Sequence, residues 1–149
     1  MPELSLNQAN TLINEVFAEA ARRQLPPLAA AVLDSGGHLR ALQRQDGLSF
    51  LRADICQAKA WAALALGVDS RQLAERLTSD PLQPGFFQAL NGMTNGRIVP
   101  LPGGLLLRDA AGTVIGALGV AGAASDEDEA CARTALRRAG LYSLEIRDD

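Results

Sequence analysis

Apolar residues recur every three or four positions near the start of the chain. Leu6, Ala9, Ile13, Val16, Phe17 and Ala20 share one face of "SLNQANTLINEVFAEAARRQ", the spacing of an amphipathic helix. Ser5 with Gln8 three residues later predicts a capping box at its start, and Pro26-Pro27 predicts its stop. The period then changes. "LAAAVLD", "SGGH" and "LRALQRQ" read as strand, tight turn and strand, because paired glycines supply the positive φ angles of hairpin turns. "DGLSFLRADICQAKAWAALALG" predicts a helix that turns in at Asp46-Gly47, caps at Ser49 and ends at Gly67. A short helix through "RQLAERLT" begins at Asp69 or Ser70, and "SDPLQPGFFQALNGMTNG" reads as a loop-rich connection with one helical turn around Phe86 to Leu90.

"RIVPLPGGLLLRDAAGTVIGALGVAG" holds three short apolar runs split by Pro-Gly-Gly and Asp-Ala-Ala-Gly, the pattern of antiparallel strands in a meander. The last helix starts at Ser125. Its acidic first turn, "DEDE", and its basic end, with Arg133, Arg137 and Arg138 before Gly140, complement the helix dipole. The sum is an α+β fold in one domain, residues 1–149, with about five antiparallel strands and helices packed on the sheet.

Composition narrows the partners. Fourteen basic and seventeen acidic side chains give a net charge of −3, and no basic cluster is present to displace the counterions of a nucleic acid. The longest apolar helical stretch, Ala58 to Gly67, falls far short of the roughly 20 residues that span a bilayer. "MPELSLNQAN" lacks the basic and apolar regions of a secretory signal, so a cytoplasmic protein without membrane attachment is expected. Cys56 and Cys131 lie in different predicted helices and read as small buried hydrophobes rather than disulfide partners.

"VLDSGGHLRALQRQDG", the helix around Lys59, "PGG" and "GTVIGALGVAGAASDEDEACA" follow one another in an order that resembles the GlcG/HbpS family. This is the haem-degrading-domain family that also supplies the C-terminal domain of PduO-type cobalamin adenosyltransferases. The resemblance covers roughly residues 4 to 141. It implies a profilin-like fold, an antiparallel sheet with helices on both sides, assembled into homo-oligomers. It implies binding of haem or a related tetrapyrrole, with two alternatives: a binder or enzyme for a small carboxylated metabolite, or an interaction module accompanying a metabolic enzyme. The family's recurrent R-x-D-G corresponds to Arg44, Gln45, Asp46 and Gly47, its helix lysine to Lys59, and its glycine pair to Gly103 and Gly104. The chain departs from relatives in "GGLLLRD", where a proline-containing strand start is usual, and in "GVAG", where Ala121 replaces the usual serine.

Lys59 is the only lysine, placed in the most apolar helix. Its helical neighbours are Ile55, Cys56, Ala62 and Ala63, so any carboxylate partner must come from elsewhere in the fold, Asp46 being the nearest candidate in sequence. Three readings stay open. The side chain lies along apolar surface with its ammonium in water; or it forms a pocket wall with Arg44 and Asp46 and recognises a carboxylate, such as a haem propionate; or it is a desolvated Schiff-base amine. Gly103-Gly104 reads first as a turn and second as a place where a ligand approaches the backbone. His38, the sole histidine, reads as an exposed turn residue or a haem axial ligand, with Tyr142, Met93 and Cys56 as other iron ligands. The acidic run "SDEDEA" reads as helix-start electrostatics rather than a metal site, because consecutive helical side chains diverge. No nucleophile triad is visible, and no catalytic residue is assigned.

Overall fold

The computed structural model describes residues 3–143. Helix α1, Leu6–Arg22, starts as its sequence predicts: the Ser5 hydroxyl accepts from the Gln8 amide, and the Gln8 side chain accepts from the Ser5 amide. The hairpin follows as β1, Ala29–Asp34, and β2, Leu39–Arg44. Helix α2 is Leu51–Leu66, closed by Gly67 in the left-handed conformation. Ser49 does not cap it with its side chain; its carbonyl accepts from the Arg52 amide in a preceding turn, and Phe50 holds the cap position. Helix α3 is Ser70–Ser79, with Asp69 at the cap position. The expected loop contains a full helix instead, α4, Gln83–Met93, which turns Phe87 inward. Strands β3, Gly104–Arg108, and β4, Val114–Ala121, precede α5, Ser125–Arg138.

The sheet therefore has four strands rather than five, in the antiparallel order β2-β1-β4-β3. The missing strand is the run around "RIVPL". Pro100 and Pro102 offer no amide to a ladder, and Ile98 is buried with Leu73 and Phe87 in the layer formed by α3 and α4.

The two faces of the sheet differ in side-chain size. Val32, Leu105, Leu107, Leu118 and Val120 point toward α1 and α5 and form the main core with Leu12, Ile13 and Val16. Ala29, Ala31, Ala117 and Ala121 face the other way, toward α2. Small residues on that face let α2 come close. Alanine and glycine bury less area each, but a near helix backbone recovers dispersion contacts over its whole length. The outer side of α2 is covered in turn by α3 and α4, where Trp61, Ala62 and Leu66 pack with Leu73 and Phe87. A helix buried on two sides is apolar nearly all round, which accounts for the composition of "DICQAKAWAALALG".

The edges are unequal. Along β3 the outward amides of Gly104 and Leu106 donate to Ser70 Oγ and Asp69 Oδ1, and Arg108 exchanges backbone bonds with Tyr142. The N-terminus of α3 thus blocks that edge. Ion pairs from Arg71 to Asp126 and Glu129, and from Arg133 to Asp69 at the α3 cap, tie α3 to α5. Strand β2 forms the other edge, with most of its side chains exposed.

Candidate functional site

The closest approach of α2 to the sheet is made over a glycine pair, Gly104 and Gly119, which lie opposite one another across β3 and β4. A Cβ on Gly104 would overlap the Lys59 carbonyl, and one on Gly119 the Cys56 carbonyl. Gly103 has φ +126°, and a Cβ there would fall 3.0 Å from Lys59 Nζ. The space over the family glycine pair is thus occupied, over Gly104 by the α2 backbone and over Gly103 by the Val120 carbonyl and the Lys59 side chain.

Lys59 is 1% exposed. Its ammonium donates to the Val120 carbonyl at 2.9 Å and to Asp128 Oδ2 at 3.1 Å. The reading of a side chain reaching water is overturned: the helix surface around Lys59 is pressed onto the sheet, so no path to solvent runs along it. Asp46 is likewise not the partner. The partner is Asp128, on α5, whose other oxygen accepts from the Ala123 amide. Burial pulls the Lys59 pKa down, with Asp128 partly opposing. Burial pushes the Asp128 pKa up, with Lys59 partly opposing. The pair joins α2, the end of β4 and the start of α5.

Arg44 and Asp46 lie elsewhere, on a cleft of about 630 Å³ between the C-terminal part of α1 and the end of β2. Phe17, Leu25 and Pro27 supply apolar wall. Gln45, between the two charged residues, clamps the cleft: its side chain accepts from the Leu28 amide at 2.8 Å and its own amide donates to the Leu28 carbonyl at 3.0 Å. Arg44 Nη1 donates to the Leu48 carbonyl at 3.0 Å and folds the turn that contains Asp46 and Gly47. Lys59 is linked to this cleft indirectly. It fixes Val120 and Asp128, and between them Gly122 packs against the backbone of Pro27 and Leu28.

His38 sits at the opposite end of β2, its side chain 81% exposed and its Nδ1 3.5 Å from Asp34 Oδ1. With Arg40, Asp34, Leu4 and Ile115 it lines a smaller cleft of about 200 Å³. Six residues at about 3.3 Å each put His38 about 20 Å from Arg44, too far for one small ligand to use both. Among the other possible iron ligands, Met93 and Tyr142 are exposed. Burial pushes the Cys56 thiol up to about 12, which leaves it protonated and a poor ligand near neutral pH. Cys56 and Cys131 are both free and buried, on opposite faces of the sheet. Among the described residues no cluster of three or more His, Cys, Asp or Glu side chains is placed to hold a metal, and no helix is long and apolar enough to cross a membrane.

Sequence reasoning misses Asp128, the Gln45 clamp and Arg40. Asp128 had a usable signal. It stands on the stripe Asp128, Cys131, Ala132, Ala135, all buried, so a carboxylate there occupies a core position and needs a cation.

Comparison with known proteins places the fold. The chain is 33% identical over 133 residues to an uncharacterized 15.0 kDa protein from the dhaT-dhaS intergenic region of Citrobacter freundii, covering 89% of each. It is 29% identical over 137 residues to the corrinoid adenosyltransferase PduO of Salmonella typhimurium, but spans only 38% of that protein's length. Among solved structures, a PduOC:haem complex superposes with a TM-score of 0.82 at 25% identity, over 95% of this chain and 99% of that one. Residues 4–137 match the family of haem degrading, HbpS-like proteins, and the chain belongs to that family.

Proposed function

We propose that this chain is a homo-oligomeric binder of haem or a related tetrapyrrole. The observation that carries the reading is the likeness to the PduOC:haem complex over almost the whole of both chains. A haem site needs an iron ligand, a cation for the propionates and apolar surface for the ring. His38 and Arg40 meet the first two needs side by side, with Leu4 and Ile115 behind them. At about 200 Å³ the cleft is too small to enclose a porphyrin, so His38 would hold the iron and Arg40 a propionate at its mouth. When bound, the group would supply redox and ligand-binding chemistry; the chain's part is to hold and orient it. Its sheet and helix order supports a profilin-like description.

A second reading has its own observation. The cleft of about 630 Å³ offers Arg44 and apolar walls but no His, Cys, Met or Tyr, which suits a small carboxylate better than a metalloporphyrin. In this reading Arg44 meets the carboxylate, Asp46 forms the rim, and Lys59, Gly103 and Gly104 hold the wall in place from behind.

Haemin titration of three proteins separates the two sites. His38→Ala is expected to shift the Soret maximum and weaken binding, whereas Arg44→Gln leaves both as in the unaltered chain. If Arg44→Gln alone weakens binding, the haem lies in the larger cleft; if neither variant differs, the site assignment at His38 is wrong.

A further inference from the structure

A third cleft, of about 400 Å³, lies on the outer side of α2, between that helix, the β1–β2 turn and the segment after α4. Ile55, Trp61 and Val99 form its apolar wall, and Asp54, Gln57 and Arg97 its polar groups. Trp61 is the only tryptophan of the chain. Gly37, at φ +83°, brings backbone against it so closely that a Cβ would sit 3.2 Å from the indole Nε1, which fixes the ring. The Arg97 guanidinium carbon is 4.2 Å from the ring centroid. Arg97 Nε donates to the Thr94 carbonyl at 2.9 Å, and its two Nη groups make no hydrogen bond or ion pair among the described residues. Asp54, in the first turn of α2, also has a carboxylate without such a partner among those residues.

A cation stacked on the indole, with its Nη donors still open, and an exposed anion therefore flank a rigid aromatic wall. A simple anion would be repelled by Asp54 and a simple cation by Arg97. A molecule bearing both charges satisfies both. We propose that this cleft binds a small zwitterion with a flat apolar side chain, an aromatic α-amino acid in chemical class. Its carboxylate meets the Arg97 Nη groups, its ammonium meets Asp54, and its ring lies against Trp61, Ile55 and Val99. The volume is within the roughly 300–1,000 Å³ range of small-molecule sites. The cleft is distinct from those at His38 and at Arg44, so this inference does not rest on the haem reading.

The test uses the full chain free of haem and follows Trp61 fluorescence, excited where phenylalanine does not absorb. L-phenylalanine is the probe, with phenethylamine and 3-phenylpropanoate as analogues that each lack one charge. The expected result is a saturable change with L-phenylalanine and binding at least about tenfold weaker for each analogue, the worth of one charged hydrogen bond. Arg97→Gln and Asp54→Asn are each expected to weaken L-phenylalanine by about the same factor with unchanged circular dichroism. Should Arg97→Gln fail to fold, Asp54→Asn carries the test, since its side chain is exposed. No saturable change at millimolar probe, equal binding of all three compounds, or variants that bind like the unaltered chain would each overturn the proposal.

Discussion

An ammonium as deeply buried as that of Lys59 is tolerated because Asp128 and the Val120 carbonyl replace its hydration. Lys59→Met leaves the Asp128 carboxylate without its cation, and the expected cost is about 3–5 kcal/mol. Lys59→Met combined with Asp128→Asn removes both charges and is expected to regain most of that loss, which a double-mutant cycle in urea measures. The pH dependence has a definite sign. Asp128 already has its pKa raised above the ordinary 3.8, and loss of the lysine raises it further. A carboxyl whose folded pKa is raised carries no ionisation penalty below the unfolded value, and the penalty grows as pH rises through the folded value. The stability gap between the unaltered chain and Lys59→Met should therefore be narrow in acid and widen toward neutrality. A gap that is absent, or that does not change with pH, contradicts the assigned pairing. The need for a partner outside α2 is legible in the sequence, from Ile55, Cys56, Ala62 and Ala63 around the lysine. The partner is not, because four consecutive acids look alike until one is placed on the buried stripe of α5.

At the scale of elements, the seating of α2 on the sheet depends on the absence of side chains at Gly104 and Gly119. Gly119→Ala inserts a methyl group against the Cys56 carbonyl, where backbone rather than a flexible side chain must yield. The expected loss is about 1–3 kcal/mol or more, read as a lower urea midpoint with an unchanged slope. A midpoint equal to that of the unaltered chain would show that α2 has room to move away. The elements themselves are largely legible in sequence: the capping box of α1, the hairpin, the start of α5 and the end of α2 all follow from local spacing. Two failures have separate causes. The run around "RIVPL" is apolar because it covers α3 and α4, not because it pairs in the sheet. The α4 helix hides behind Pro84 and Gly85, which read as breakers, although proline in the first helical turn costs nothing since that amide has no intrahelical acceptor.

For the whole molecule, the ground for expecting an oligomer moves. Read in the sequence alone, the apolar strands "AAAVL" and "VIGALGV" ask for covering by other copies, yet β1 and β4 are central and covered by helices of the same chain. Among the exposed apolar residues are Leu39 on the β2 edge and, at the start of α2, Phe50, 78% exposed, and Leu51. An open strand edge beside apolar side chains is a pairing surface, and light scattering is expected to give a multiple of 15.7 kDa. A mass near that of one chain contradicts the oligomer. The family is legible in the sequence because several motifs stand in the right order; the ligand is not, because the recurrent Lys59, Gly103 and Gly104 hold the fold together and say nothing direct about what is bound. Haemin titration of the purified, unaltered chain therefore tests the central reading most directly. A saturable, red-shifted Soret band that differs from free haemin is the predicted result; spectra that remain the sum of protein and free haemin at every ratio would contradict it.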